Sequence, residues 1–410
     1  MTVIDTVIIG GGQAGLAASR LLTKAQHEHV ILERGRVGER WLSATWDSLR
    51  LLTPNWMTRL PHWGYSGAEP DGFMTARQVA AFLSAYGRSF HAPMQSNTAV
   101  ERVRLQGARF EVETNHEAWQ ANNVIIATGW TDRPAIPSLA ANLEPSIEQL
   151  APASYRNPGQ LPDGAVLVVG ASASGVQLAD ELRRDGRMVY LSVGRHTRMT
   201  RRYRGRDIFW WLDQIGSLDR TIDEVRSPAD ARREPSMQLI GRGDGINVDL
   251  RTLASTGVVL VGRLSAIESR TTYFDDDLHA TMEAADERLC RTLEGIDRYI
   301  ASNHLAEQEM PPARPGRRKL AEPPTRMNLH KAGVSAIIWA TGHRRDYHWL
   351  DVPVLGTDGE LMHRYGVTAI PGLYVLGQRF QRTRRSAFLD GVGTDAAAIT
   401  QHLLQHTRAH

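Results

Sequence analysis

Short β-branched runs alternate with amphipathic stretches along most of this chain. Val3 to Ile9 is the first such run and reads as a strand. Gly10, Gly12 and Gly15 follow at G-x-G-x-x-G spacing, Leu16, Leu21 and Leu22 then sit among good helix formers, and Val30 to Leu32 makes the next strand. Met74 to Arg88 has helical spacing behind a Thr75 cap, with Val79, Phe82, Leu83 and Tyr86 on its inner face. Val100 to Val112 alternates as a hairpin does, and Val124 to Thr128 is a buried strand running into Gly129. Ala165 to Val169 starts the series again: a strand, the loop Gly170 to Gly175, a helix from Val176 to Arg184 ended by Gly186, and a strand from Met188 to Val193. Further on, the pattern predicts an aromatic helical segment at Asp207–Leu212, a strand at Val258–Val261 and a long helix over Thr272–Ile300. Strands over Val334–Gly342 and Leu373–Leu376 and a helix within Ala387–Leu404 complete it.

Strand, glycine turn, helix and strand, met twice, predict an α/β fold of two Rossmann-like dinucleotide-binding domains. A chain of 410 residues is long enough for two cores. The outer segments, 1–145 and 326–410, make one domain, and 146–325 is a second domain inserted into it. Pro134 and Pro137 mark the first linker; the Pro- and Arg-rich stretch Met310 to Pro324 marks the return. A strand ending in A-T-G occurs at Val124–Gly129 and again at Ile337–Gly342, where bends without bulky side chains let the backbone approach a nucleotide.

The glycines have separate physical tasks. Gly10 allows the tight turn, Gly12 lets the backbone approach a pyrophosphate, and Gly15 lets helix and strand pack closely. The helix beginning near Gln13 and Ala14 offers free N–H groups and a positive dipole end to phosphate. Glu33, eighteen residues after Gly15 and followed by Arg34, accepts from ribose hydroxyls, and Gly35 to Trp41 reads as a loop passing over the bound cofactor. In the second loop Ser172 replaces the middle glycine and offers, like Ser174, a hydroxyl to the phosphates before Gly175. Val193 stands where Glu33 stands in the first unit, and Arg195 follows, with Arg198, Arg201, Arg202 and Arg204 nearby. An acid would repel a 2′-phosphate and arginine pairs with it, so the reading is NADPH over NADH, against the alternative of a solvated basic loop.

Composition narrows the classes. Cys290 is the only cysteine, which excludes a disulfide scaffold and a redox-active C-x-x-C pair, and with it disulfide reductase chemistry. No apolar run reaches the roughly 20 residues of a membrane span. The first apolar run is too short, and lacks the basic flank, for a signal peptide, so a cytoplasmic location without a membrane partner is expected. The net charge is +3, and the arginines are spread among acids with no nucleic-acid module, so no nucleic-acid partner is expected.

Two nested glycine loops resemble the two-dinucleotide-binding-domain flavoproteins, and within them the class B flavin-dependent monooxygenases, which include N- and S-oxygenating and Baeyer–Villiger enzymes. The likeness spans essentially the full length and rests on Gly10-Gly11-Gly12-Gln13-Ala14-Gly15, Arg40-Trp41, Gly170 to Gly175 and the two A-T-G strands. It implies FAD in the first domain, NADPH in the second, and dioxygen with a small organic substrate as reactants. NADPH would reduce FAD, oxygen would add at the flavin C4a, and the hydroperoxide would oxygenate the substrate. The resemblance also assigns Arg40, Trp41, Val100, Ala127, Thr128, Gly129, Gly170, Gly342, Gly377, Gln378 and Asp390 to the cofactors, with Asp390 near the flavin ring edge. Asn55, in T-P-N-W-M, is the candidate catalytic residue beside the flavin, the other reading being a turn asparagine. Trp41, Trp46 and Trp56 are expected to exclude water.

The chain departs from the family pattern at three points. The linker frame Gln149-Leu150-Ala151-Pro152-Ala153-Ser154-Tyr155-Arg156-Asn157-Pro158 carries Ala151 where the family has histidine. Ser172 stands in the second loop, and Gly377-Gln378 stands where related flavoproteins have G-D. These departures keep a second reading in play: an NADPH-dependent flavoprotein reductase or oxidase passing electrons to a quinone, a small protein or oxygen without oxygen insertion. A third is a flavin-binding protein whose residues 194–206 dock a phosphorylated partner. Arg344 to Tyr347 face the substrate in one reading and solvent in the other. A homodimer is the assembly entertained.

Overall fold

The computed structural model describes residues 1–407 apart from 307, 314, 315 and 317–319. In chain order the strands that position the site are β1 (Thr2–Ile9), β2 (His29–Leu32), β3 (Met94–Gln95) and β4 (Ala118–Ile126). They continue with β5 (Glu148–Leu150), β6 (Ala165–Val169), β7 (Val189–Ser192), β8 (Val259–Val261), β9 (Val334–Trp339) and β10 (Leu373–Val375). The helices named below are α1 (Gln13–Lys24), α2 (Ala76–Ser89), α3 (Ala173–Arg184), α4 (Ile208–Gln214), α5 (Leu278–Ser302) and α6 (Val392–Thr407).

The two units have the same parallel strand order in four of five places, the outer strand coming last in the first unit and first in the second. In the first, β10 pairs with β4, β4 with β1, β1 with β2 and β2 with β3. In the second, β5 pairs with β9, β9 with β6, β6 with β7 and β7 with β8. Strands covered on both faces need apolar residues at every position, and this is why the predicting runs do not alternate. In β1, Ile8 enters the core formed with α1, α2 and α6, while Val7 and Ile9 enter the core on the opposite face. The predicted hairpin is Val100–Gln106 with Arg109–Thr114, and its second strand pairs antiparallel with β4.

The structure moves three expected boundaries. β9 and the strand Arg326–Asn328 belong to the inserted unit's sheets, so the chain regains the first unit only after Gly342 rather than at 326. The reason is pairing: β9 fills the place beside β6 that β4 fills beside β1. The long helix begins at Leu278, because Thr271–Phe274, β-branched and aromatic, pairs as a strand with Leu264–Glu268. Asp277 Oδ1 then accepts from Arg263 N at 3.0 Å, closing the turn ahead of the helix. The stretch Gly35 to Trp41, expected as a loop, enters a short helix at Glu39–Ser43. The connector expected at 310–324 lies partly outside the described residues.

The two passages between the units run side by side. Arg133–Pro134 pairs antiparallel with His343–Arg344. Among the described residues no helix is long and apolar enough to cross a membrane.

Candidate functional site

The first glycine turn is set by backbone contacts. Gly10 has φ +111°, and a Cβ there would stand 2.6 Å from Ala127 O, at the end of β4. A Cβ on Gly15 would stand 1.9 Å from Gly10 O. The second turn repeats both contacts: φ is +105° at Gly170, with 2.5 Å to Ala340 O, and a Gly175 Cβ would lie 1.8 Å from Gly170 O. The middle position differs in kind. Gly12 caps α1 at φ −84°, ψ −169° with open space around it, and Ser172 caps α3 at φ −80°, ψ −169°. Any L-residue adopts that backbone, so serine enters without strain. Ser172 makes no side-chain cap bond, and its hydroxyl is unspent on the helix it begins.

The structure brings the remaining first-unit candidates around the same turn. Gln13 Nε2 donates to Ala387 O at 2.8 Å, and a Cβ on Gly377 would meet Ala14 Cβ at 2.8 Å. Gln378 is buried and donates to Gly129 O at 3.0 Å. Glu33 accepts from Gly11 N at 2.6 Å and from Gly35 N at 2.9 Å, which fixes its carboxylate at the end of β2. Each of its oxygens keeps a second lone pair for a ribose hydroxyl. Arg34 is exposed beside it, and Val100 is half-buried on the core under the hairpin. Arg40 is half-buried, its Nε donates to Thr131 Oγ1 at 3.1 Å, and burial lowers its pKa.

These residues fit nucleotides. Thr128 Oγ1 is buried and has no hydrogen-bond partner among the described residues. Gly129 (φ +82°) and Gly342 (φ +94°) end the two A-T-G strands with nothing within 4 Å of a Cβ. An orphaned hydroxyl, two open bends and two uncapped helix starts are what a phosphate-linked ligand across each turn would complete.

Several candidates already have partners within the chain. The Asn55 amide donates to Glu69 O at 2.9 Å and accepts from Met74 N at 2.9 Å, and so closes the 55–74 loop. Asn55→Ala should orphan those two backbone groups and destabilise the protein by roughly 1–3 kcal/mol. Urea unfolding would show this, with peroxide release per NADPH unchanged. Asp390 is also spent: its buried carboxylate takes Arg385 Nη1 at 2.7 Å and, on the other oxygen, Arg59 Nε. It braces the loop before α6. Trp46 packs in the inserted unit's core, and Trp41 and Trp56 lie half-buried at core margins.

The basic run after β7 divides in two. Arg198 is buried on Asp249 at 2.5 Å and Asp286 at 2.6 Å. Arg201 is buried on Asp207 and Leu52 O, both at 2.8 Å, and Arg204 pairs with Asp297 at 2.9 Å. These three hold the unit together and are not available to a ligand. Arg195 and Arg202 remain exposed.

Sequence reasoning missed what the linker frame does. Arg156 donates to Thr45 O at 2.9 Å and to Ser43 O, while Asn157 donates to Asp47 at 2.8 Å. Glu181 of α3 accepts from Ser48 at 2.5 Å and from Tyr155 at 3.3 Å, and its burial raises its pKa. The frame therefore ties residues 43–48 to the inserted unit. The signal was its unusual concentration of polar side chains between two strands. Ala151 is buried at its head, with its N–H on Ser154 Oγ.

Comparison with known proteins agrees with this construction. The family model described as pyridine nucleotide-disulphide oxidoreductase matches residues 7–208. The chain is 31% identical over 407 residues to an uncharacterized CzcO-like oxidoreductase of Geobacillus kaustophilus, covering 98% of this chain and 99% of the relative. It is 28% identical over 193 residues, 46% of each chain, to the probable indole-3-pyruvate monooxygenase YUCCA1 of Arabidopsis thaliana. A flavin-containing monooxygenase from Stenotrophomonas maltophilia superposes with a TM-score of 0.69 at 19% identity, covering 99% of this chain and 100% of that one.

Proposed function

Because the chain belongs with the CzcO-like oxidoreductases, we propose that it is an NADPH-dependent FAD monooxygenase, a divergent relative of the flavin-dependent monooxygenases. It acts on a small organic substrate with dioxygen, by N-, S- or Baeyer–Villiger oxygenation. The observation that carries this reading is the duplicated turn, Gly10 against Ala127 and Gly170 against Ala340, with Glu33 after one and Arg195 after the other.

The first turn, with Thr128, Gly129 and Glu33, holds FAD; the second, with Ser172, Ser174 and Gly342, holds NADPH. The flavin supplies hydride acceptance and oxygen activation. The chain's own residues bind, orient and screen. The helix starts at Gln13 and Ala173 face the two pyrophosphates. Gln378 holds the Gly129 carbonyl in place, and the Arg156 clamp keeps the two units in register for hydride transfer. A monooxygenase must keep water from the reacting centre.

Arg195 and Arg202 supply the preference for the 2′-phosphate. Replacing both with Ala should lower kcat/KM for NADPH by roughly tenfold to a hundredfold, the worth of one or two charge-assisted hydrogen bonds. NADH should change little, and steady-state oxidation of each nucleotide checks it.

The reading is tested by mixing the FAD-loaded protein with NADPH without oxygen, then with oxygenated buffer, following the flavin spectrum and measuring hydrogen peroxide. Flavin bleaching with little peroxide per NADPH when substrate is present supports oxygen insertion. Bleaching with stoichiometric peroxide under every condition favours the reductase or oxidase reading, to which the buried Ala151 in the histidine position lends weight. Failure of NADPH to bleach the flavin overturns both.

A further inference from the structure

A buried amide stands against the second glycine turn. Gln238 is 1% exposed, and its Nε2 donates to Ala171 O at 2.6 Å. The partner is a carbonyl, so the amide nitrogen must face it and the orientation of the side chain is settled. Oε1 is then the other end of the same planar group, held beside the loop Gly170–Gly175. It is buried and has no hydrogen-bond partner among the described residues. An orphaned acceptor of this kind carries a desolvation penalty that a ligand's donor would relieve.

The surroundings place it along the nucleotide's path. The strand Met237–Gln238 pairs with Thr197–Arg198, directly after Arg195, with Gln238 opposite Arg198. Gln177 of α3 donates to Leu239 O at 3.1 Å. Two residues on, Gly241 crowds Leu51 O of the first unit, where a Cβ would stand at 2.1 Å. The segment thus runs from the basic end of the second turn toward the first unit, as a dinucleotide delivering hydride would. Its two-residue ladder is short enough to yield locally.

We propose that Gln238 is a ligand of the second dinucleotide, its Oε1 accepting a hydrogen bond from a donor on that nucleotide. This rests on the NADPH reading above. Three groups of the nucleotide carry such a donor: the ribose hydroxyls, the adenine amino group and the nicotinamide carboxamide. Ala171 O anchors the amide, and the nucleotide completes it.

The test is titration of FAD-loaded protein with NADP+ and with 2′-phospho-ADP-ribose, which keeps ribose hydroxyls and lacks the carboxamide. Gln238→Met is the near-isosteric variant, with Gln238→Leu as a second. Gln177→Leu is the control, because it loses an equivalent amide-to-carbonyl bond to the same strand. Gln238→Met should weaken NADP+ roughly fivefold or more, with Gln177→Leu within about twofold of wild type. Equal weakening of both ligands assigns the donor to a ribose hydroxyl or the adenine amino group; weakening of NADP+ alone assigns it to the carboxamide. Unchanged NADP+ affinity in both Gln238 variants, or an equal loss in Gln177→Leu, overturns the proposal while leaving the NADPH reading intact. Absence of NADP+ binding to wild type overturns both.

Discussion

Gly15→Ala is expected to yield protein without flavin, and Gly175→Ala to yield yellow protein that NADPH no longer bleaches. Each added methyl meets a backbone carbonyl rather than a movable side chain, at 1.9 Å from Gly10 O and 1.8 Å from Gly170 O. The neighbour cannot give way without opening the turn, because Gly10 and Gly170 are themselves held against Ala127 and Ala340. Overpacking in a close-packed site costs roughly 1–3 kcal/mol, and here it also shifts the helix start that faces phosphate. Flavin content after purification and an NADPH titration read the two effects separately. Loss of flavin from both variants alike would show that the turns are not two independent sites. Gly12→Ala is the contrast: that position has open space and an ordinary φ, so the fold should survive and any loss should fall on nucleotide affinity.

Asp395→Asn should stabilise the protein at neutral pH by up to about 3 kcal/mol. Asp395 lies in the first turn of α6 at 1% exposure, with Ser386 as its hydrogen-bond partner and Arg382 Nε only at 3.9 Å. Its Oδ2 has no partner among the described residues. Burial therefore outweighs the Ser386 hydrogen bond and the arginine, and raises the pKa from 3.8 to about 6. The folded state holds this proton more tightly than the unfolded state. The group's penalty is absent below the unfolded value, grows as pH rises from about 4 to about 6, and is complete above that. Asparagine removes that limb while keeping a polar partner for Ser386. Urea midpoints of both proteins at pH 4.5 and 7.5 would show the gap clearly wider at the higher pH; a gap independent of pH would refute the assignment.

Local pattern carried a long way in this chain. Apolar runs named the central strands of both sheets, because a strand covered on both faces tolerates no polar position in its middle. The turns were legible for a related reason: Gly10, Gly15, Gly170 and Gly175 mark places where backbone meets backbone, and no other residue type satisfies that contact. The Thr75 cap was legible too, and forms a capping box with Gln78.

What the sequence could not rank was competition for the same side chain. Arg195, Arg198, Arg201, Arg202 and Arg204 look alike in order, yet Asp249, Asp286, Asp207 and Asp297, distant in the chain or folded back on it, claim three of them. Asn55 and Asp390 likewise gave no sign in the sequence of the partners that the fold brings them, Met74 N, Glu69 O, Arg59 and Arg385. Gln238 carried no motif at all; only the approach of Ala171 O makes its other end an unanswered acceptor. The return of β9 to the inserted sheet also escaped the sequence, since an apolar strand fits either sheet and only pairing with β6 decides. The sequence by itself thus determined the two nucleotide turns and the strands that carry them, because periodicity and glycine placement are local constraints. Tertiary structure alone decided which polar side chains remain for a ligand, because hydrogen-bond and charge partners are allotted by proximity in space, not along the chain.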